Sequence, residues 1–75
     1  MSVSVSHIQD LRTLGPGDTV EARRFSDVHY RGRVEATAPA HGVVWVRDDA
    51  TGCRVMLHGN VYQVFRLRRA FDMAA

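Results

Sequence analysis

The stretch from Val43 to Leu57, VVWVRDDATGCRVML, limits the possible folds of this chain more than any other segment. Two runs of strand-forming residues flank the sequence Asp-Ala-Thr-Gly. An acidic first position and a glycine at the fourth suit a type I turn followed by a left-handed residue. The segment therefore predicts a β-hairpin. In both of its possible registers Val55 and Leu57 face the core, while Arg54 and Met56 face outward.

The register of this hairpin has two solutions, which place opposite faces of one strand toward the core. In the first, Asp48 lies opposite Arg54 and Trp45 lies opposite Leu57. This register pairs an acid with a base and avoids two facing arginines. We expect it because the turn signal is local and specific.

The second register uses a four-residue loop and sets Arg47 opposite Arg54. Two facing arginines are unfavourable unless an anion or an acid lies nearby. In return, the second register gathers four aliphatic side chains on one face. They are Val44, Val46, Val55 and Leu57. Trp45 then faces outward, opposite Met56.

The rest of the chain alternates short strand patterns with turn residues. Strands are predicted from Asp18 to Arg23, from about Tyr30 to Thr37 and from Val64 to Leu67. A single 3₁₀ turn is predicted at Val61 to Gln63, before the last strand. Together with the hairpin, these elements predict an all-β fold, a five-stranded antiparallel barrel.

The chain divides into three predicted segments: an N-terminal extension (1–14), a barrel (15–67) and a C-terminal tail (68–75). In the extension, Ile8, Leu11 and Leu14 recur every three residues. That spacing suits a helical turn laid over one end of a small core. A chain of 75 residues has no room for a second domain.

The order of these elements resembles that of the SH3-like barrels, including the Tudor and KOW types. The resemblance covers Gly17 to Leu67, with GDTVEAR, YRGRVEA, GVVWVRD, GCRVML and VYQVFRL as the matching segments. It implies an SH3-like fold whose ligands lie near the loops that carry Phe25, Tyr30 and Tyr62. An aromatic cage for a methylated cation needs these rings to converge beside a carboxylate such as Asp27. Packing of at least two of the rings in the core is the alternative.

A second, weaker resemblance is to the plasmid-borne, trimethoprim-resistant dihydrofolate reductases, SH3-like barrels that act as tetramers around one pore. The GDTV segment, the strand with Gly32 and the terminal FRL are similar in placement. The pore motif of that family, Val-Gln-Ile-Tyr, falls on Val55 to His58, where this chain has VMLH. An oligomeric pore enzyme is therefore the disfavoured third function, since the functional Gln and Tyr are absent.

The positive charge of the chain is concentrated near its end. All ten basic residues are arginines, and the net charge is +2. The charges of residues 1–60 balance by segment, so the excess lies in Arg66, Arg68 and Arg69 against Asp72. A body of balanced charge lacks the broad basic field of a strong non-specific DNA binder.

Two sets of residues are candidates for binding. The first is the hairpin's outer surface together with the loop aromatics: Arg54, Met56, Trp45, Phe25, Tyr30 and Tyr62. It predicts a non-enzymatic module for a protein partner, with a regulatory or adaptor role. The second set is basic and predicts nucleic-acid binding as the alternative: Arg66, Arg68 and Arg69, with Arg23 and Arg24. Self-association is also expected, because exposed apolar patches on small domains mark interfaces.

Catalysis and cofactor binding have little support in the sequence. Only Cys53 with His58 suggests a nucleophile and base, and their five-residue separation on one strand points them to opposite faces. The four histidines lack the close spacing of a metal site, so we predict neither a metal nor a cofactor. The N-terminus lacks a secretory pattern and no apolar run could span a membrane, which predicts a cytoplasmic protein without membrane contact.

Overall fold

Strands dominate the structure, a computed structural model that describes residues 5–68. The strands are β1 (Ser6–Ile8), β2 (Thr19–Arg24), β3 (Asp27–Ala38), β4 (Val43–Asp48), β5 (Arg54–His58) and β6 (Gln63–Arg68). Two 3₁₀ helices, Leu11–Thr13 and Pro39–His41, lie between strands. Within residues 5–68, no helix has the length and apolar character needed to cross a membrane.

All six strands belong to one antiparallel sheet in the order β1-β6-β2-β3-β4-β5. The prediction of an all-β fold is confirmed. The prediction of five strands is wrong, because Ser6 to Ile8 adds a strand beside β6, with Ser6 opposite Arg66 and Ile8 opposite Val64. β1 has only three residues, too few for alternation to distinguish a strand from a frayed end.

The inner face of the sheet carries the core. It is built from alternate strand residues and closed at one end by the N-terminal segment. The buried members of the core cluster are Ile8, Leu11, Leu14, Val20, Ala22, Val34, Val44, Val46, Leu57 and Val64. The predicted extension therefore contributes three of its side chains to the core. At full burial each aliphatic side chain stabilises the fold by about 1.5–3 kcal/mol.

The β4–β5 hairpin adopts the second register, and the expectation of the first is wrong. Arg47 pairs with Arg54, and Val44 pairs with Leu57. Asp48 is not a cross-strand partner of Arg54. It is the buried last residue of β4, and its carboxylate accepts hydrogen bonds from the turn, from the Thr51 hydroxyl at 2.9 Å and the Thr51 N–H at 3.2 Å. The Asp-Ala-Thr-Gly segment therefore does form a turn, but the pairing of β4 with β5 is shifted by one residue from the expected register.

The β2–β3 connection is a two-residue turn. Phe25 and Ser26 have φ angles of 53° and 70°, and Arg24 pairs with Asp27 across them. Two-residue hairpin turns with both φ angles positive favour Asn and Gly strongly. Phenylalanine and serine at these positions gave no turn signal in the sequence.

The connection before β6 also differs from the prediction. The N–H groups of Val61 and Tyr62 both donate to the carbonyl oxygen of His58, at 3.0 Å each. The first bond has the 3₁₀ pattern, but the segment is a turn and not a 3₁₀ helix. β6 then begins at Gln63, at the end of the segment for which the 3₁₀ turn was predicted.

Gly32 marks a close approach between β3 and β4. It pairs with Val20 on one side and with Asp48 on the other, so both ladders are continuous at this residue. A Cβ atom added here would overlap the backbone carbonyl of Arg47. The strand requires glycine because the neighbouring backbone occupies the space of a side chain.

Candidate binding surface on the outer face of the sheet

Four arginines and one threonine form a line across five strands, which we call the arginine row. Thr19 of β2 pairs with Arg68 of β6 on one side and with Arg33 of β3 on the other. Arg33 pairs with Arg47, which pairs with Arg54. Directly paired residues of antiparallel strands share a face and lie about 5 Å apart. The row is therefore a continuous basic stripe on the outer face.

Glu35 explains how two facing arginines are tolerated at the hairpin end of this row. Its carboxylate accepts hydrogen bonds from Arg47 Nε at 2.9 Å and Arg47 Nη2 at 3.2 Å. The same carboxylate lies 3.5 Å from Arg54 Nε. Glu35 occupies the irregular position between Val34 and Ala36, where the pairing of β3 with β4 shifts. The shift brings one acid beside both arginines.

The next rung of the hairpin is apolar. Trp45 pairs with Met56, whose side chain is 53% exposed. The Arg54 guanidinium carbon lies 5.5 Å from the centroid of the Trp45 ring, within cation–π range. Three of the predicted binding residues thus meet on one surface. We call Trp45, Arg54 and Met56 the hairpin patch.

The hairpin patch lies at the edge of the sheet. β5 pairs with β4 on one side, and no other strand of the described chain pairs with its second edge. The exposed edge of a strand presents unpaired N–H and C=O groups that can pair with another chain. The hairpin patch thus lies on the strand whose second edge has no strand partner within residues 5–68.

A second charged cluster on the outer face surrounds Glu21. This side chain is buried, yet it is ion-paired with Arg31 Nη2 at 2.6 Å and with Arg23 Nε at 2.5 Å. The guanidinium carbon of Arg23 also lies 4.2 Å from the centroid of the Phe65 ring. The hydrogen bond from Arg31 lowers the pKa of Glu21, and Arg23 adds to this effect against the opposing effect of burial. The cluster is internally satisfied and serves the fold.

The three loop aromatics do not converge in the described structure. Tyr30 and Tyr62 meet edge to face with their ring centroids 5.8 Å apart, and both pack against the core. Phe25 lies at the hairpin tip, 86% exposed, with the Arg24 guanidinium 5.3 Å from its ring centroid. Packing of two of the rings against the core, the predicted alternative, is thus observed.

The C-terminal arginines have separate environments. The Arg66 side chain is only 12% exposed; its Nη1 donates to the Thr13 carbonyl oxygen at 2.9 Å and lies 3.8 Å from an Asp18 carboxylate oxygen. Arg66 thereby ties the N-terminal segment to the sheet. Arg68 is exposed at one end of the arginine row. Arg69 lies outside the described residues.

Groups suited to metal chemistry are not clustered in the part of the chain that the structure describes. Within it, no three His, Cys, Asp or Glu side chains are placed to hold a metal ion. Cys53 is exposed in the turn before β5, and His58 ends that strand.

The arginine row is the feature that sequence reasoning missed. Counting charges along the chain gave balanced segments, because acids and bases alternate in sequence. Pairing each strand with its neighbour in the correct register would have revealed the row. The hairpin end of the row depends on the register of β4 with β5, and the turn residues predicted the other of the two possible registers.

The comparisons with known proteins identify no relative. No family model, no curated protein and no solved structure matches the chain significantly.

Proposed function

We propose that this protein is a non-enzymatic binding module that holds a protein partner on its hairpin patch. The observation that carries the proposal is the meeting of Trp45, Arg54 and Met56 on the outer face of an edge hairpin. Trp and Arg dominate the energetics of protein interfaces, and Met is enriched there. A regulatory or adaptor role fits a domain of this size.

The fold that we propose for β2 to β6 is an SH3-like barrel, with β1 as an added strand. Support comes from the strand order, in which four consecutive strands form hairpins and the last strand returns to pair with the first of them. This is the order of elements on which the sequence resemblance rests. Fold alone does not identify a ligand, so the functional proposal depends on the patch.

Truncation of the patch tests the proposed function. Met56→Ala and Arg54→Ala should each weaken capture of a partner from the native cell by roughly tenfold, as expected for central interface residues. Val61→Ala is the matched control, since Val61 is a 45% exposed aliphatic residue in the turn before β6. Capture that is equal for all three variants, with unchanged melting temperatures, would count against the hairpin patch.

Nucleic-acid binding is the second candidate, and the arginine row favours it. Arg33 and Arg68 are both exposed and flank Thr19 in the arginine row, where neighbouring phosphates of one strand can contact them. Contacts with several phosphates make affinity fall steeply with salt, with a slope of about −0.7 per phosphate for single strands. A titration with oligothymidylate at several salt concentrations measures this slope. Arg33→Ala should make this slope less negative, whereas Met56→Ala should leave the slope unchanged.

Self-association remains a proposal for the same protein. The structure exposes apolar side chains on β5 (Met56), in the β2–β3 turn (Phe25) and in the turn before β6 (Val61). Light scattering across a concentration series measures the mass directly. A strict monomer at high concentration would contradict the proposal.

A further inference from the structure

We propose that the partner of the hairpin patch is an acidic, extended segment that adds a strand to the free edge of β5. This inference rests on the proposed protein-binding function and specifies the chemistry of the partner. Strand addition is a general mode of peptide recognition, in which backbone hydrogen bonds give affinity and alternate side chains give specificity.

The backbone of β5 supplies the first part of this site. β5 runs from Arg54 to His58, and no strand within residues 5–68 pairs with its second edge. At the end of that edge the His58 carbonyl oxygen accepts hydrogen bonds from Val61 and Tyr62, so the backbone groups of Arg54 and Met56 are the ones that an added strand would use. Proteins protect such edges with short strands, charges, prolines or covering elements. β5 is short and has Arg54 on the edge, but its central outward residue is the exposed Met56. An apolar centre flanked by polar residues suits a specific partner better than it suits protection.

The alternation of β5 predicts the sequence pattern of the added strand. Residues opposite Arg54, Met56 and His58 would lie on the outer face, and residues opposite Val55 and Leu57 would lie beside the core. Side chains directly opposite one another across a ladder interact most strongly. The complementary strand therefore has acids opposite Arg54 and His58 and apolar residues at the three positions between them.

Charge complementarity selects an acidic segment over a second copy of this chain. An antiparallel pairing of β5 with itself, centred on Met56, sets Arg54 opposite His58 of the second copy and supplies no acid for Arg54. An acidic strand instead extends the row Arg33, Arg47 and Arg54 with opposite charge. Nucleic acid could satisfy these arginines, but it offers neither a strand backbone for the edge nor an aliphatic side chain for Met56.

Short capped peptides test the pattern. The expected ligand is Glu-Val-Leu-Val-Glu. Three controls match it in length. Lys-Val-Leu-Val-Lys reverses the charge, and Val-Glu-Val-Glu-Val moves the acids to the core-facing positions. The third carries N-methyl groups on its first, third and fifth residues, whose N–H groups would otherwise donate to β5. Binding is followed by the fluorescence of Trp45, the one tryptophan of the chain, and by amide hydrogen exchange in β5.

We expect the first peptide to bind, to change the Trp45 signal and to protect β5 amides, with each control weaker by roughly tenfold. Arg54→Gln should weaken binding by a similar factor. Arg24→Gln removes the same charge from the distant hairpin tip and should leave binding unchanged. Thermal melts of both variants show whether the fold is intact.

Each other outcome overturns the inference in a distinguishable way. A Trp45 signal without protection of β5 amides excludes strand addition but leaves docking on the hairpin patch intact. Equal binding of the acidic and basic peptides, or of neither, excludes an acidic partner. Protection of β5 that grows with protein concentration alone indicates a second copy. Tighter binding of oligothymidylate, lost in Arg54→Gln, indicates nucleic acid and removes the protein-binding proposal as well.

Discussion

Adjacent residues of β5 have opposite roles because the strand alternates between two environments. Leu57 is 1% exposed and belongs to the core, whereas its neighbour Met56 is 53% exposed on the outer face. Both assignments confirm the sequence prediction, which was the same in either register. Single substitutions at these two positions separate stability from binding.

Leu57→Ala should therefore destabilise the protein, and Met56→Ala should not. Removing a buried leucine costs about 3 kcal/mol, through lost burial and the cavity left behind. Truncating an exposed side chain away from special features changes stability by about 0.5 kcal/mol or less. Urea unfolding of both variants measures the difference. If Met56→Ala destabilised the protein more than Leu57→Ala, Met56 would be a core residue and the hairpin patch would not exist on the outer face.

Gly32 gives a second prediction at this scale. Gly32→Ala should be strongly destabilising, since the new Cβ meets the backbone of Arg47 and not a side chain that could rotate away. We expect a loss of at least about 2 kcal/mol, as for other overpacked positions. Gly15→Ala is the matched control, because a Cβ at Gly15 meets no atom within 4 Å. Equal melting temperatures for the two variants would contradict the close approach of β3 and β4.

Among the elements, the hairpin shows what the sequence could and could not predict. Its two strands, and the faces of β5, followed from periodicity. Its register did not, because Asp48 serves the turn and the acid that neutralises Arg47 and Arg54 comes from β3. A contact with Glu35, twelve residues from Arg47, is invisible to local turn chemistry. The patch residues could be named in advance, but the arginine row could not.

Glu35→Gln tests this explanation of the register. Without the carboxylate, Arg47 and Arg54 face each other uncompensated, and the hairpin should lose roughly 0.5 kcal/mol of stability, a modest value because all three side chains are partly solvated. The loss should shrink at high salt, which screens the repulsion between the arginines. Urea midpoints at low and high salt provide the measurement. Adding Arg54→Gln to the Glu35→Gln variant should restore its stability. A further loss of stability would mean that repulsion between Arg47 and Arg54 is not the cause.

Across the whole molecule, charge is sorted by face rather than by position in the sequence. The outer face carries Arg23, Arg31, Arg33, Arg47, Arg54 and Arg68 with Glu21 and Glu35 among them. The remaining acids of the balanced segment 18–37 lie elsewhere: Asp18 near Arg66, and Asp27 at the tip of the β2–β3 hairpin. Six arginines against two glutamates give the outer face an excess of positive charge, and several segments of the sequence contribute to it.

The buried Glu21 makes global stability depend on pH. Its pKa in the folded protein lies below its ordinary value of 4.5, chiefly because of the hydrogen bond from Arg31. A carboxyl group with a lowered folded-state pKa stabilises fully above its unfolded-state pKa, and this stabilisation is lost as the pH falls through the folded-state pKa. Unfolding midpoints should consequently decrease as the pH drops below about 4.5.

The Glu21→Gln variant should have a free energy of unfolding about 1–2 kcal/mol lower than that of wild type at neutral pH. Its free energy of unfolding should also fall less steeply as the pH decreases. Asp10→Asn is the control: Arg12 also lowers the pKa of Asp10, but that pair is exposed on the N-terminal segment. Its substitution should have little effect on the pH profile. Parallel profiles for wild type and Glu21→Gln would mean that another group controls acid unfolding.

The pairing of β1 with β6 has a consequence for the order of folding. β2 to β5 join through successive hairpins, so their contacts close short loops and can form early. β6 must return to β2, and Ser6 must find Arg66 from the other end of the chain, which carries a larger entropic cost of closure. We expect β1 and β6 to dock last during refolding and to detach first during unfolding. The hairpin patch would then be assembled before the chain has finished folding.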